Sequence, residues 1–193
     1  MSDFATMIDC VFKLEGFYSD DPYDKGGATC LGWTLETAKS TRDLDKDGDI
    51  DIEDIKILDM DHASSAYRNH FYDDLELFNF SDKIAYLLLD MSVNHGKWRA
   101  LILLARALNE LGCDYDVNEL KKIKSFESLK AKCLDKMIED SSNVDRDKLI
   151  ESLISVRIQF YKDIVTAKPS QKRFLKGWLN RVEMTKVNLL YFE

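Results

Sequence analysis

The chain has 193 residues, enough for one substantial core or two small ones packed together. Its 45% hydrophobic and 11% aromatic content excludes disorder, and two Pro with eight Gly argue for a helical protein with few tight turns. The net charge of −8 hides an asymmetry: residues 1–95 carry 8 Lys and Arg against 21 Asp and Glu, whereas residues 96–193 carry 19 against 14. An acidic front and a basic back suggest two functional parts.

No run reaches the ~18 apolar residues of a membrane helix, so membrane insertion is not expected. The start, Met1-Ser2-Asp3-Phe4, lacks the basic region, apolar stretch and small-residue cleavage site of an ordinary signal peptide. Synthesis in the cytoplasm is therefore expected. Cys10, Cys30, Cys113 and Cys133 form no CxxC pair and show no metal-ligand spacing, so they are expected reduced. The three His residues include no zinc-type pair.

Phe4, Ile8, Val11 and Phe12 recur at helical spacing and predict a first helix over residues 3–15. Glu15 falls on the same apolar face, three residues after Phe12 and four after Val11. Gly16 suits the position just past a helix C-terminus. A carboxylate there is disfavoured both by partial desolvation and by the negative end of the helix dipole, which is how a general acid is kept protonated near neutral pH. The Gly-rich segment 16–34 reads as an irregular loop and a small hairpin, with short extended pieces at Thr29-Cys30-Leu31 and Trp33-Thr34.

Residues 43–54 hold seven carboxylates in twelve positions. Read from Asp43, they fit a calcium loop of the EF-hand type. Asp43, Asp45 and Asp47 stand at positions one, three and five, Gly48 makes the sharp turn at six, and Asp49 offers its carbonyl. Asp54 stands where an EF-hand has a bidentate Glu, which makes the loop look more like those of dockerin modules. Calcium is expected as a structural ion, with none needed for catalysis.

Residues 54–72 predict one or two further helices, and the aromatics of Tyr67–Tyr72 read as core or as rings that stack on the apolar faces of sugars. Residues 81–94 are apolar nearly all round, so that helix is central. Asp90 and Asn94 lie one turn apart on it. A structural role is expected for Asp90, while Asn94 either ties the wall of a cleft or faces substrate. His95 reads as a helix-end residue. Residues 96–111, 127–139, 145–166 and 169–191 predict the remaining helices, with a polar connection and one short helical turn over 113–126.

Glu15, Asp24, Gly26-Gly27, Thr29, Gly32 and Thr34 together resemble the signature of the glycoside hydrolase 108 family of N-acetylmuramidases. Asp90-Met91-Ser92-Val93-Asn94-His95-Gly96 is similar to that family's Asp-x-x-Val-Asn-x-Gly run. Phe17 departs from the pattern where the family usually repeats Gly, and Lys25 where Pro is common. Further on, Arg157, Phe160, Tyr161 and the run Phe174-Leu175-Lys176-Gly177-Trp178-Leu179-Asn180-Arg181 resemble the peptidoglycan-binding region often joined to this hydrolase.

The resemblance implies a mainly α, lysozyme-like fold with a small β element next to the catalytic helix and a helical C-terminal half. The expected organisation is a muramidase region at 1–95, carrying the calcium loop at 43–54, and a helical peptidoglycan-binding region at 96–193. The implied reaction is hydrolysis of the β-1,4 bond between N-acetylmuramic acid and N-acetylglucosamine. Glu15 would be the general acid, Asp24 the second carboxylate, and Thr29 the residue holding the attacking water. Tyr18, Trp33, Asn94, Trp178 and Arg181 are the expected substrate contacts. Asp43, Asp45, Asp47, Asp49 and Asp54 are the expected calcium ligands.

The expected partner is peptidoglycan and not nucleic acid. A monomer is expected, brought to the wall by a holin or by secretion machinery. Two rival readings remain open at this point. One is a non-catalytic wall-binding or secretion-assisting protein that keeps the fold. The other is a calcium-dependent interaction module, against which stands the presence of a single loop where a dockerin has two.

Overall fold

The structure is a computed structural model that describes residues 4–15, 18–19, 29–30, 33–34, 47–49 and 60–193. The chain divides into two compact units, Asp3–His70 and Phe71–Glu193, the latter taking in Met1–Ser2. In the first unit, α1 spans Phe4–Glu15 and α2 spans Met60–Tyr67. Phe4, Met7, Ile8, Cys10, Val11 and Phe12 are buried, and Ala5, Asp9 and Lys13 are exposed. That is the stripe expected from the three- and four-residue spacing. α1 packs on α2, where Phe12 meets Tyr67 edge to face at 5.2 Å and the Arg68 guanidinium lies 5.5 Å from the Phe4 ring centroid. Tyr67 and Tyr72 are buried, as their reading as core aromatics requires.

The expectation of a small β element next to the Glu15 helix is corrected. The chain is mainly α. Extended backbone among the described residues amounts to three two-residue pieces, Tyr18–Ser19, Thr29–Cys30 and Trp33–Thr34. They pair antiparallel, Tyr18 opposite Cys30 and Thr29 opposite Thr34. Ordinary strands run to about five or six residues. Two-residue pieces supply too few ladder hydrogen bonds to make a β layer, so the described residues form no β lobe of the kind expected. The sequence between the pieces, with Pro22, Gly26, Gly27 and Gly32, is poor in strand-forming residues.

A π-helical turn over Arg68–Asp73 and a 3-10 turn at Leu77–Asn79 lead into the second unit. There α3 is Asp82–His95, α4 Lys97–Glu110, α5 Val117–Lys122, α6 Phe126–Asn143, α7 Arg146–Ala167 and α8 Lys172–Asn188. α3 buries every residue from Ile84 to Ser92. It packs on α4 and α7, α4 packs on α6 and α7, and α8 packs on α7. Gly96, at φ 82°, takes the left-handed turn that reverses the chain between α3 and α4. Asp116, Ser125 and Asp145 cap the starts of α5, α6 and α7 with side-chain oxygens that accept backbone N–H bonds. The compact unit begins at Phe71. α3 thus serves as the core helix of the same body as α4 to α8.

Candidate functional site

Two groups of expected site residues fall in different units, and each is described by itself. In the first unit, Glu15 is the last residue of α1, half-buried at the end of the face that Ile8, Val11 and Phe12 bury. Asp24 lies outside the described residues, and Tyr18, Thr29 and Trp33 are described through their backbone in the short extended pairings. Of the calcium ligands, Asp43, Asp45 and Asp54 lie outside the described residues. Asp47 and Asp49 are exposed on either side of Gly48, whose φ is 106°. The Asp49 N–H donates to Asp47 Oδ1 at 3.1 Å. Among the described residues, no three His, Cys, Asp or Glu side chains gather as a metal site.

The second unit has a connected polar and aromatic cluster where α3, α7 and α8 meet. Asp90 on α3 is closed to solvent. Its Oδ2 accepts from Arg157 Nη1 at 2.6 Å and from Thr185 Oγ1 at 3.3 Å. Its Oδ1 accepts from Arg181 Nη2 at 2.6 Å and Nε at 3.1 Å. Burial alone would push the Asp90 carboxyl up, but the two guanidinium groups outweigh it and hold the carboxyl down at about 2. One carboxylate thus holds two guanidinium groups, one from α7 and one from α8.

From Arg157 the cluster runs outward. Arg157 Nε donates to the Tyr161 hydroxyl at 3.1 Å, and that hydroxyl donates to Asn94 Oδ1 at 2.9 Å. His95 Nε2 lies 3.3 Å from the same hydroxyl oxygen. Burial, then the Arg157 charge, lower the His95 imidazole to about 3, with Asp90 opposing, so the ring is neutral near pH 7. Tyr161 is buried and stacks on Trp178 at 5.2 Å and 19°. Trp178 in turn stacks on Phe174 at 6.0 Å, and Phe174 is 42% exposed. Phe160 meets the His95 ring edge-on at 5.2 Å, with Arg99 5.0 Å above it.

The second unit therefore brings Asn94 and Trp178 together around Tyr161. Arg181, expected to meet substrate, is engaged with Asp90, and its side chain is only 12% exposed. The expected structural role of Asp90 fits its setting. Sequence reasoning gave Tyr161 and His95 no part in holding Asn94. The available signal was the four-residue spacing of Arg157 and Tyr161 on one helix face.

Comparisons with known proteins match two segments, the first of which runs across the boundary between the two units. Residues 8–96 match the family model described as Glycosyl hydrolase 108, and residues 129–183 match the one described as Predicted Peptidoglycan domain. Among solved structures, the chain is similar to Brucella abortus SagA, with a TM-score of 0.72 and 24% identity over 98% of this chain and 94% of that one. A likeness at that identity speaks for the fold. No curated protein matches.

Proposed function

We propose that the chain is a peptidoglycan hydrolase of the kind described by the Glycosyl hydrolase 108 model that matches residues 8–96, with a C-terminal peptidoglycan domain, and that it cleaves the β-1,4 bond between N-acetylmuramic acid and N-acetylglucosamine with Glu15 as general acid. The observation that carries this reading is the place of Glu15. It ends α1, half-buried beside the apolar face of that helix and inside the matched segment.

In this mechanism the Glu15 carboxyl passes its proton to the glycosidic oxygen as the bond to the anomeric carbon breaks. Asp24 is the proposed second carboxylate and Thr29 the proposed holder of the attacking water. A carboxylate separation of ~5 Å would give retention, and ~6.5–9.5 Å would give inversion. The anomer released, read by proton NMR, distinguishes the two. Within the second unit, Asn94 and Trp178 are the proposed contacts to peptidoglycan.

Calcium is the proposed ligand of residues 43–54. The positive φ of Gly48 is the turn that such a loop needs at its sixth position, and the Asp47–Asp49 bond is compatible with it. Asp43, Asp45, Asp47, the Asp49 carbonyl and Asp54 would hold the ion, which would offset the repulsion of the crowded carboxylates. Its part in the reaction is structural. The test of the hydrolase reading is clearing of a peptidoglycan suspension by the wild-type chain and by Glu15→Gln, with product analysis to name the bond.

A further inference from the structure

The chain of hydrogen bonds that starts at Asp90 ends at a fixed, outward-facing donor. Arg157 has no acceptor, so its Nε–H can only donate to the Tyr161 oxygen. The Tyr161 proton must therefore point elsewhere, and Asn94 Oδ1 at 2.9 Å takes it. A neutral His95 completes the pattern by donating its Nε2–H to the same oxygen, which then accepts twice and donates once. With Oδ1 committed inward, the amide of Asn94 has one orientation. Asn94 is exposed, and its Nδ2 has no hydrogen-bond partner among the described residues. Trp178 Nε1, on the half-buried indole stacked against Tyr161, likewise has no hydrogen-bond partner among them.

Two free donors beside an aromatic cluster call for a ligand that is rich in acceptors and carries a small apolar group. Charge selection is secondary, because the nearby carboxylate, Asp90, is already spent on two guanidinium groups. We propose that Asn94 and Trp178 form a subsite for the acetamido group of an N-acetylhexosamine, with Tyr161 and His95 as positioning residues. Asn94 Nδ2 donates to the acetamido carbonyl, and the acetamido methyl lies against the Trp178–Phe174 stack. Trp178 Nε1 donates to a ring hydroxyl. The inference rests on the peptidoglycan reading and deepens it. The subsite selects the N-acetyl group of the glycan rather than the peptide stem.

The experiment uses the full chain and calorimetric titration with chitotetraose, fully N-acetylated or fully deacetylated. Neither sugar carries a lactyl group or peptide. The wild-type chain should bind the acetylated tetramer about ten-fold or more tightly than the deacetylated one, the worth of a well-made hydrogen bond with apolar contact. Asn94→Asp keeps the acceptor for Tyr161 but replaces the outward donor, and should erase that preference. Tyr161→Phe keeps the stacking ring and frees the Asn94 amide to rotate, so it should weaken acetylated binding several-fold while leaving the deacetylated tetramer unaffected. Thermal melts of both variants confirm that the fold persists.

Unchanged acetyl preference in a folded Asn94→Asp chain overturns the proposal. A wild-type chain that clears peptidoglycan yet shows no acetyl preference also overturns it, and leaves the hydrolase reading standing. Acetyl preference lost in Asn94→Asp, in a chain that clears no peptidoglycan, supports the subsite and defeats the hydrolase reading instead.

Discussion

Asp90 on α3 and Arg157 on α7, 67 residues apart in the chain, meet at 2.6 Å in a place almost closed to solvent. The pair joins the last helix of the segment matched to the hydrolase family to a helix of the segment matched to the peptidoglycan domain. The two matched segments are thus not independent bodies along this part of the chain. Their shared core carries the charge pair and, through Tyr161, the orientation of Asn94.

Removing Asp90 should be far more costly than removing an ordinary surface carboxylate. Asp90→Ala removes the carboxylate that both Arg157 and Arg181 engage, a loss of about 3–5 kcal/mol for a broken buried pair. Chemical denaturation should show it as a lowered midpoint. The acid side follows from the low carboxyl value, about 2 in the folded chain against an ordinary 3.8. The folded state holds fewer protons in that interval, so the contribution of Asp90 is complete above pH 4 and fades as pH falls toward 2. The wild-type chain should lose stability through that window more steeply than Asp90→Ala does.

The sequence made α3 legible as a central helix, because Ile84 to Met91 is apolar on all sides, and it made Asp90 legible as structural, because a buried carboxylate needs partners. The partners themselves were not legible. The resemblance singled out Arg157 and Arg181 but not their partner, because pairing over 67 and 91 residues is a tertiary fact. Packing follows burial rather than charge, so α3 lies with the helices after it, while the segment matched to the hydrolase family ends at residue 96. The small β element failed for a related reason. Short extended pieces show up in composition, but their length depends on what each can pair with.

The placement of α3 makes a prediction about fragments. Residues 71–193 should melt cooperatively, whereas residues 96–193 should not. The shorter piece lacks Ile84, Leu87, Leu88, Leu89 and Met91, all buried. At ~2 kcal/mol for each buried side chain, the loss is on the order of 10 kcal/mol, comparable to the whole stability of a domain. Far-UV circular dichroism on heating distinguishes the two.

Calcium should raise the melting temperature of the wild-type chain, and a chelator should lower it. A ligand that binds only the folded form contributes ~2.7 kcal/mol at a hundredfold excess over Kd. Asp47→Ala should remove the difference, and magnesium should substitute poorly because it demands a tighter octahedral shell. Superimposable melts with calcium and chelator, together with no heat of binding, would reduce the 43–54 segment to a solvated acidic surface.

The central claim is that Glu15 supplies the proton for glycan cleavage, and the most direct measurement is turnover of purified peptidoglycan by Glu15→Gln beside the wild-type chain. Glutamine keeps the size and the hydrogen-bonding shape at the end of α1 but has no acidic proton to give. The wild-type chain should release new reducing ends from N-acetylmuramic acid, and Glu15→Gln, with an unchanged melting temperature, should do so at a rate lower by ~10²-fold or more. A folded Glu15→Gln protein that turns over peptidoglycan at the wild-type rate would contradict it.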